Sequence, residues 1–170
     1  MNPLRKLLVV TLAAIAVVCL SAPTWAQSKL LSENVLITKC ADAAGAATSD
    51  VTGSTIDMAG WDGVLFVTSY GTPAANNLIH VEQGAASNMS DAADLAGGEV
   101  DLSGASDEDQ WIDLVQPRER YVRCIAQRGT SSTLENLWAI QYRGKSRPQT
   151  NLTSGTIYGK RLIRPAEGTK

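Results

Sequence analysis

Apolar and polar residues alternate over short stretches of this chain, and Gly, Pro, Asn and Asp punctuate the stretches. A period of two over four to eight residues predicts β-strands with one face in a core. Residues 35–40 (VLITKC) form the first such stretch, and residues 54–58 (STIDM) the second, with a turn at Ala59-Gly60. Residues 63–70 (GVLFVTSY) are apolar on both faces across Val64, Leu65, Phe66 and Val67, which predicts a central strand buried on both sides. Residues 77–83 (NLIHVEQ) follow as a strand. A short helical turn is expected over residues 90–96, with Ser90 as N-cap and Asp91 and Asp94 near its positive end. Residues 99–102 and 110–115 (QWIDLV) return to strand pattern, and Pro117 ends it because it cannot donate to a ladder.

In residues 121–127 (YVRCIAQ), Val122, Cys124 and Ala126 share one face, while Tyr121, Arg123, Ile125 and Gln127 share the other. Residues 134–142 (LENLWAIQY) put Trp138, Ile140 and Tyr142 on one face. Residues 156–163 (TIYGKRLI) read as an extended arm or edge strand. With no long helical pattern and no internal repeat, the expected fold is all-β: an antiparallel sandwich or barrel of about seven to nine strands.

The first 26 residues do not belong to that pattern. Arg5 and Lys6 precede an apolar run over residues 7–20, diluted only by Thr11 and Cys19; Ser21, Ala22 and Pro23 break it, and Ala26 offers a small residue for cleavage. This is the layout of a secretory signal peptide, an apolar helix or leader too short for the ~20 residues of a stable membrane anchor. Val17-Val18 before Cys19 does not suit a lipoprotein signal. The expected organisation is a leader over 1–26, a β domain over 27–148 and a C-terminal arm or edge strand over 149–170.

Charge is segregated along the chain. No Lys or Arg occurs between Lys39 and Arg118, a stretch holding 13 acidic residues; residues 114–170 hold 11 basic and 3 acidic. Either the two halves interleave and the charges mix on the surface, or the subunit is bipolar and its acidic side meets a neighbour's basic side. The basic residues after Arg143 invite nucleic acid as a partner, but the sequence pI of about 5.4 and the lack of a reading motif argue against it. Beyond the leader the only cysteines are Cys40 and Cys124. An exported pair could form a disulfide, whereas apolar strand settings favour buried free thiols.

Chemistry-bearing motifs are thin. Gly144-Lys145-Ser146 ends like a phosphate loop, but position 139, where the first glycine belongs, is Ala139. His80 is the single histidine, with no second His or Cys at zinc-ligand spacing; it reads as a strand residue at a surface or interface. The run Ser106-Asp107-Glu108-Asp109 lacks the alternating ligands of a calcium loop and reads as a solvated turn. No Gly-x-Ser-x-Gly elbow is present. Asn88-Met89-Ser90 and Asn151-Leu152-Thr153 fit the glycosylation pattern, which matters only in a glycosylating host. No catalytic, cofactor-binding or metal residue is therefore assigned, and no small-molecule substrate is expected.

The blocks STIDMAGWDGVLFVTSYG, HVEQGAASNMSDAADLAGGEVDL and QPRERYVRCIAQRGTSSTLENLWAIQYRGKSRP together form one pattern. It resembles small tailed-phage and prophage virion proteins of the head-gene module, over about residues 31–148. The resemblance implies a β-rich, non-enzymatic subunit. Capsid decoration or cementing is the preferred role, with head completion or head–tail joining behind it. Its implied partners are the major capsid protein or other virion subunits and further copies of itself, and its implied place is the virion, after synthesis in the host cytoplasm. The leader departs from that pattern and keeps a second class open: a periplasmic or secreted β-sandwich binding module released by cleavage near Ala26. Arg118, Arg120 and Arg123 are the first candidate interface residues, because Arg is enriched at interfaces. Trp61 and Trp111 are candidate aromatic anchors, with plain core packing the more expected role for both.

Overall fold

The computed structural model describes residues 30–72, 76–101, 108–129, 131–145 and 149–151. A four-residue helix, α1 (Leu31–Asn34), leads into β1 (Val35–Ala41), β2 (Ala44–Ala47), β3 (Val51–Thr52), β4 (Ile56–Asp57), β5 (Gly63–Thr72), β6 (Leu78–Gly84), β7 (Ala93–Asp101), β8 (Glu108–Val115), β9 (Tyr121–Gln127), β10 (Ser132–Leu134) and β11 (Leu137–Tyr142). All pairings are antiparallel.

Several of these strands are pieces of one lane. In the first sheet β10 and β11 lie end to end along one edge of β5, β2 and β1 lie end to end beyond them, and β8 takes the other edge of β5. In the second sheet β3 and β4 share one edge of β9, while β6 joins β9 to β7. Counted as lanes in chain order, the first sheet runs 1-8-3-6 and the second 2-7-4-5. That is the connectivity of a jelly roll, two antiparallel sheets packed as a sandwich.

The core follows from strand alternation. On β5, Val64, Phe66 and Tyr70 are fully buried and Thr68 nearly so. They meet Ile79 and Val81 of β6, Val122, Cys124 and Ala126 of β9, and Leu137 and Ala139 of β11. Several polar groups inside this layer find partners in backbone and side-chain groups near the strand ends, while the buried Asn77 Nδ2 and Gln110 Oε1 find none among the described residues. The Tyr70 hydroxyl lies 2.6 Å from Gln127 O and 3.0 Å from Leu78 O, tying the two sheets together. Arg128, buried between strand ends, donates to Ser49 O at 2.6 Å and to Gly45 O at 2.7 Å. Asn77 Oδ1 accepts from Gly129 N and from Ser132 Oγ, both at 2.7 Å.

Three expectations need correction. β5 is central, yet only one of its faces is fully buried: Leu65 and Val67 point outward and are half-buried, because among the described residues no third layer covers the outer side of the first sheet. The helical turn over 90–96 does not form. The Asp91 carboxylate instead accepts the Ala85 and Ala86 N–H groups at 2.9 and 3.1 Å, closing a loop, and Asp94 already pairs with Glu82 as part of β7. The strand over 54–58 shrinks to Ile56–Asp57, since Ser54 turns back to bond Cys40 O. The leader and the 156–163 stretch lie outside the described residues. The start of the arm is described: Gln149 N donates to Glu33 O at 2.9 Å, Asn151 Oδ1 accepts Ile37 N at 2.6 Å, and Asn151 Nδ2 donates to Ser32 O and Val35 O. The arm therefore starts along the free edge of β1, parallel to it.

Cys40 and Cys124 are free and buried. Burial pushes each thiol up to about 12, and burial also pushes the Tyr70 hydroxyl upward. All three groups stay neutral in the folded chain while their unfolded counterparts ionise from about pH 8.5 (thiols) and 10 (Tyr). The contribution is thus intact below about pH 8.5 and is lost as pH rises toward the folded values. Urea midpoints are expected to fall steadily between pH 8 and 10.5, with a shallower slope in the Cys40→Ala/Cys124→Ala variant; equal slopes would contradict the assignment to the thiols.

Candidate interface surfaces

The outward side of the first sheet is built from rows that cross all four lanes. Register places Lys39, Trp138, Val67 and Trp111 in one row, and Ile37, Ile140, Leu65 and Asp113 in the next. A third row holds Val35, Tyr142, Gly63 and Val115. Facing residues share a face of the sheet, so this side is predominantly apolar. Trp111 is 63% exposed and Val115 50%. Tyr142 lies across Gly63, where any Cβ would collide with its ring, and its hydroxyl donates to Asp113 Oδ1 at 2.5 Å.

The five candidate interface residues do not converge. Trp61, Arg118 and Arg120 gather at one end of the sandwich, around a cleft of about 410 Å³ that Met58, Pro117 and Glu119 also line. Arg120 is committed there: its guanidinium grips Asp57 through Nε at 2.9 Å and Nη2 at 2.7 Å and lies 5.1 Å over the Tyr121 ring. The Arg120 hydrogen bonds hold the Asp57 carboxyl below its ordinary range. Arg118 is exposed, and its backbone N–H, with that of Glu119, is held by Gln83 Oε1 at 3.1 and 3.4 Å. Arg123 sits on the outer side of the second sheet and donates to Glu82 Oε2 at 2.6 Å, directly across the β6–β9 pair. Trp111 stands apart on β8.

The two tryptophans take different roles. Trp61 is half-buried, packs against the core and covers Gly144, whose Cβ would meet its ring at 2.7 Å. Trp111 does not pack inward; its even-numbered neighbours Gln110, Ile112 and Leu114 hold the inward side of β8. Sequence reasoning grouped Trp138, Ile140 and Tyr142 on one face, and that face turns out to be the outer one. Leu137, Ala139 and Gln141 point inward, where the Gln141 amide donates to Asp57 O at 2.9 Å. Periodicity groups residues by face but does not say which group is inside when the bulkier set faces out.

The acidic and basic halves interleave through Arg120–Asp57 and Arg123–Glu82. β7 and β8 escape that mixing. Between them they carry Asp94, Glu99, Asp101, Glu108, Asp109 and Asp113 and no Lys or Arg. His80, Glu82 and Asp94 come together across the β6–β7 bulge, with donor atoms within 4.8 Å of one another and His80 Nε2 3.5 Å from Asp94. Their sequence spacing hid this grouping. Arg123 already places its positive charge on Glu82, which works against a cation there. Asn151, the second glycosylation candidate, spends its amide on the edge of β1. Among the described residues no helix is long and apolar enough to cross a membrane.

No protein-family model matches this chain, and no curated protein matches it. Trp111→Ala is expected to leave folding stability within about 0.5 kcal/mol of the parent, the usual range for a surface change, whereas Trp61→Ala costs about 1–3 kcal/mol. Denaturant titration of both variants checks this ranking.

Proposed function

We propose that this chain is a non-enzymatic structural subunit of a tailed-phage virion, and that its work is decoration or cementing of the assembled capsid. The observation that carries the reading is the outer side of the first sheet. It presents Trp111, Val115, Val67, Trp138 and Ile140 on a rigid antiparallel platform. Trp111 and Val115 are exposed and the other three half-buried, and exposed apolar side chains beside a partly exposed apolar face mark a protein–protein surface. Jelly rolls serve as capsid building blocks, and equally as lectin and cupin domains, so fold supports the reading by analogy only.

In this reading Trp111 is the anchor that gains most by being covered. Exposed Arg118 offers a charged contact at the adjoining end of the sandwich, whereas Arg120 is held by Asp57 and Arg123, held by Glu82, lies on the far side of the second sheet. A subunit that binds assembled shell in preference to free capsid protein stabilises the shell by the free energy of that binding. Head completion or head–tail joining would use the same surface against a different ring of subunits. The leader pattern around Arg5, Lys6 and Ala26 favours one other reading, a secreted or periplasmic β-sandwich binding module.

Mass spectrometry of particles purified from an induced lysogen is expected to recover peptides from the 30–145 region. Their absence from particles, together with a processed N-terminus at Gln27 in the periplasm, would overturn the virion reading in favour of the secreted module.

A further inference from the structure

The outer side of the second sheet gathers side chains that local spacing does not connect. His80 and Glu82 of β6 lie two residues apart on that side, and the fully buried Val81 points inward between them. On β7 the register partner of Glu82 is Asp94 and that of His80 is Glu99. One residue of β6 therefore faces four of β7, Leu95 to Gly98, and Gly97 takes a φ of +73° in the bulge so formed. Bulges re-aim the side chains that flank them. Here the Asp94 carboxylate comes to lie beside the imidazole, with Oδ1 3.5 Å from His80 Nε2.

An imidazole nitrogen and two carboxylates, with donor atoms all within 4.8 Å of one another, make a donor set for a divalent metal ion. Two ligands ~2.1 Å from a tetrahedral ion stand ~3.4 Å apart, and the His80–Asp94 separation already matches that edge. The Asp94 side chain is 75% exposed, so it turns freely to close the remainder. A cleft of about 220 Å³, lined in part by His80, Asp94, Glu99 and Gln127, opens beside the group. It leaves room for water or for a fourth protein ligand. Glu99 stands on its wall, exposed and without a hydrogen bond or ion pair among the described residues.

Arg123 opposes a cation here without filling the site. Its Nε donates to Glu82 Oε2 at 2.6 Å. The other carboxylate oxygen of Glu82 has no hydrogen bond among the described residues, and one oxygen suffices for monodentate ligation. A hydrogen bond from outside to a ligating carboxylate also fixes its orientation. The charge of Arg123 offsets that of Glu82, while Asp94 and Glu99 keep theirs. Arg123 therefore lowers the affinity of the site, and the charges of Asp94 and Glu99 sustain it.

We propose that His80, Glu82 and Asp94 bind a first-row divalent transition-metal ion, with zinc the best match to the mixed nitrogen and oxygen donors, and that the ion clips β7 to β6 across the bulge. The imidazole sets the site apart from the all-oxygen sets that suit calcium and magnesium. Among the described residues β7 has a ladder with β6 alone, so a metal link fastens a strand held along one edge. An ion bound by the folded chain and not by the unfolded one stabilises the fold. The site belongs to the single chain and is independent of the capsid-binding reading.

The test titrates zinc chloride into the untagged full chain, stripped of metal with a chelator and dialysed, and reads the heat of binding and the thermal midpoint. One equivalent is expected to bind and to raise the midpoint. His80→Ala and Asp94→Asn are each expected to weaken binding about tenfold or more and to abolish the midpoint shift. Asp94 is exposed, so its variant keeps the test sound if His80→Ala folds poorly. Arg123→Gln is expected to tighten binding severalfold, because Glu82 then gives its whole charge to the ion. No binding by the parent chain would overturn the proposal. Binding that both His80→Ala and Asp94→Asn leave unchanged would also overturn it, by placing the ion elsewhere. Calcium binding as tightly as zinc would reduce the site to a carboxylate patch, and no gain in Arg123→Gln would strike Glu82 from the donor set; either result overturns the site as proposed.

Discussion

Strand β5 is hydrogen-bonded along both edges, and the rest of the sandwich takes its register from it. One edge holds β8 from Gly63 to Tyr70 without a shift, and the other holds β11 and then β10. Its inward residues, Val64, Phe66 and Tyr70, fill the space between the sheets, and the Tyr70 hydroxyl reaches the carbonyls of Leu78 and Gln127 on the facing sheet. A one-residue slip would turn all of these outward at once. The same alternation that buries Phe66 obliges Leu65 and Val67 to face away from the core. The apolar outer surface is thus a by-product of a strand whose sequence is apolar at consecutive positions, and such a sequence is economical only where something covers the second face.

The parts of this fold that follow from local alternation were legible in the sequence. The face assignment within residues 121–127 matches the structure residue by residue, with Val122, Cys124 and Ala126 inside. What escaped were features set by partners distant in the chain. The loop around Asp91 looked like a helix start because Ser90, Asp91 and Asp94 are good N-terminal residues; the carboxylate found the Ala85 and Ala86 amides first. Ala139 pairs with the fully buried Phe66 and the Gln141 amide reaches Asp57 O, contacts with residues far away in the chain that periodicity alone does not show. The grouping of His80, Glu82 and Asp94 needed the β6–β7 pairing to become visible. Of the five candidate interface residues, sequence reasoning could name residue types but not which were already engaged, and Arg120 and Arg123 are.

The uneven charge along the chain has a similar explanation. In this jelly roll the late basic strand β9 lies between the early acidic strands β4 and β6, so Asp57 and Glu82 are neutralised by residues far away in sequence. β7 and β8 lie outside that exchange because among the described residues β7 pairs only with β6 and β8 only with β5, and where they approach each other the contact is Gln110 Nε2 to Val100 O rather than a charge pair. Topology, rather than composition, decides which carboxylates keep their field for a partner.

The two interior thiols carry a consequence for where such a fold can live. Cys40 and Cys124 are free thiols, desolvated and protonated, in the same buried cluster as Leu137 and Ala139. Thiolate is the form that oxidants and disulfides attack, and burial withholds it. The described fold therefore holds its two interior sulfurs in the protonated form that oxidants and disulfides attack least.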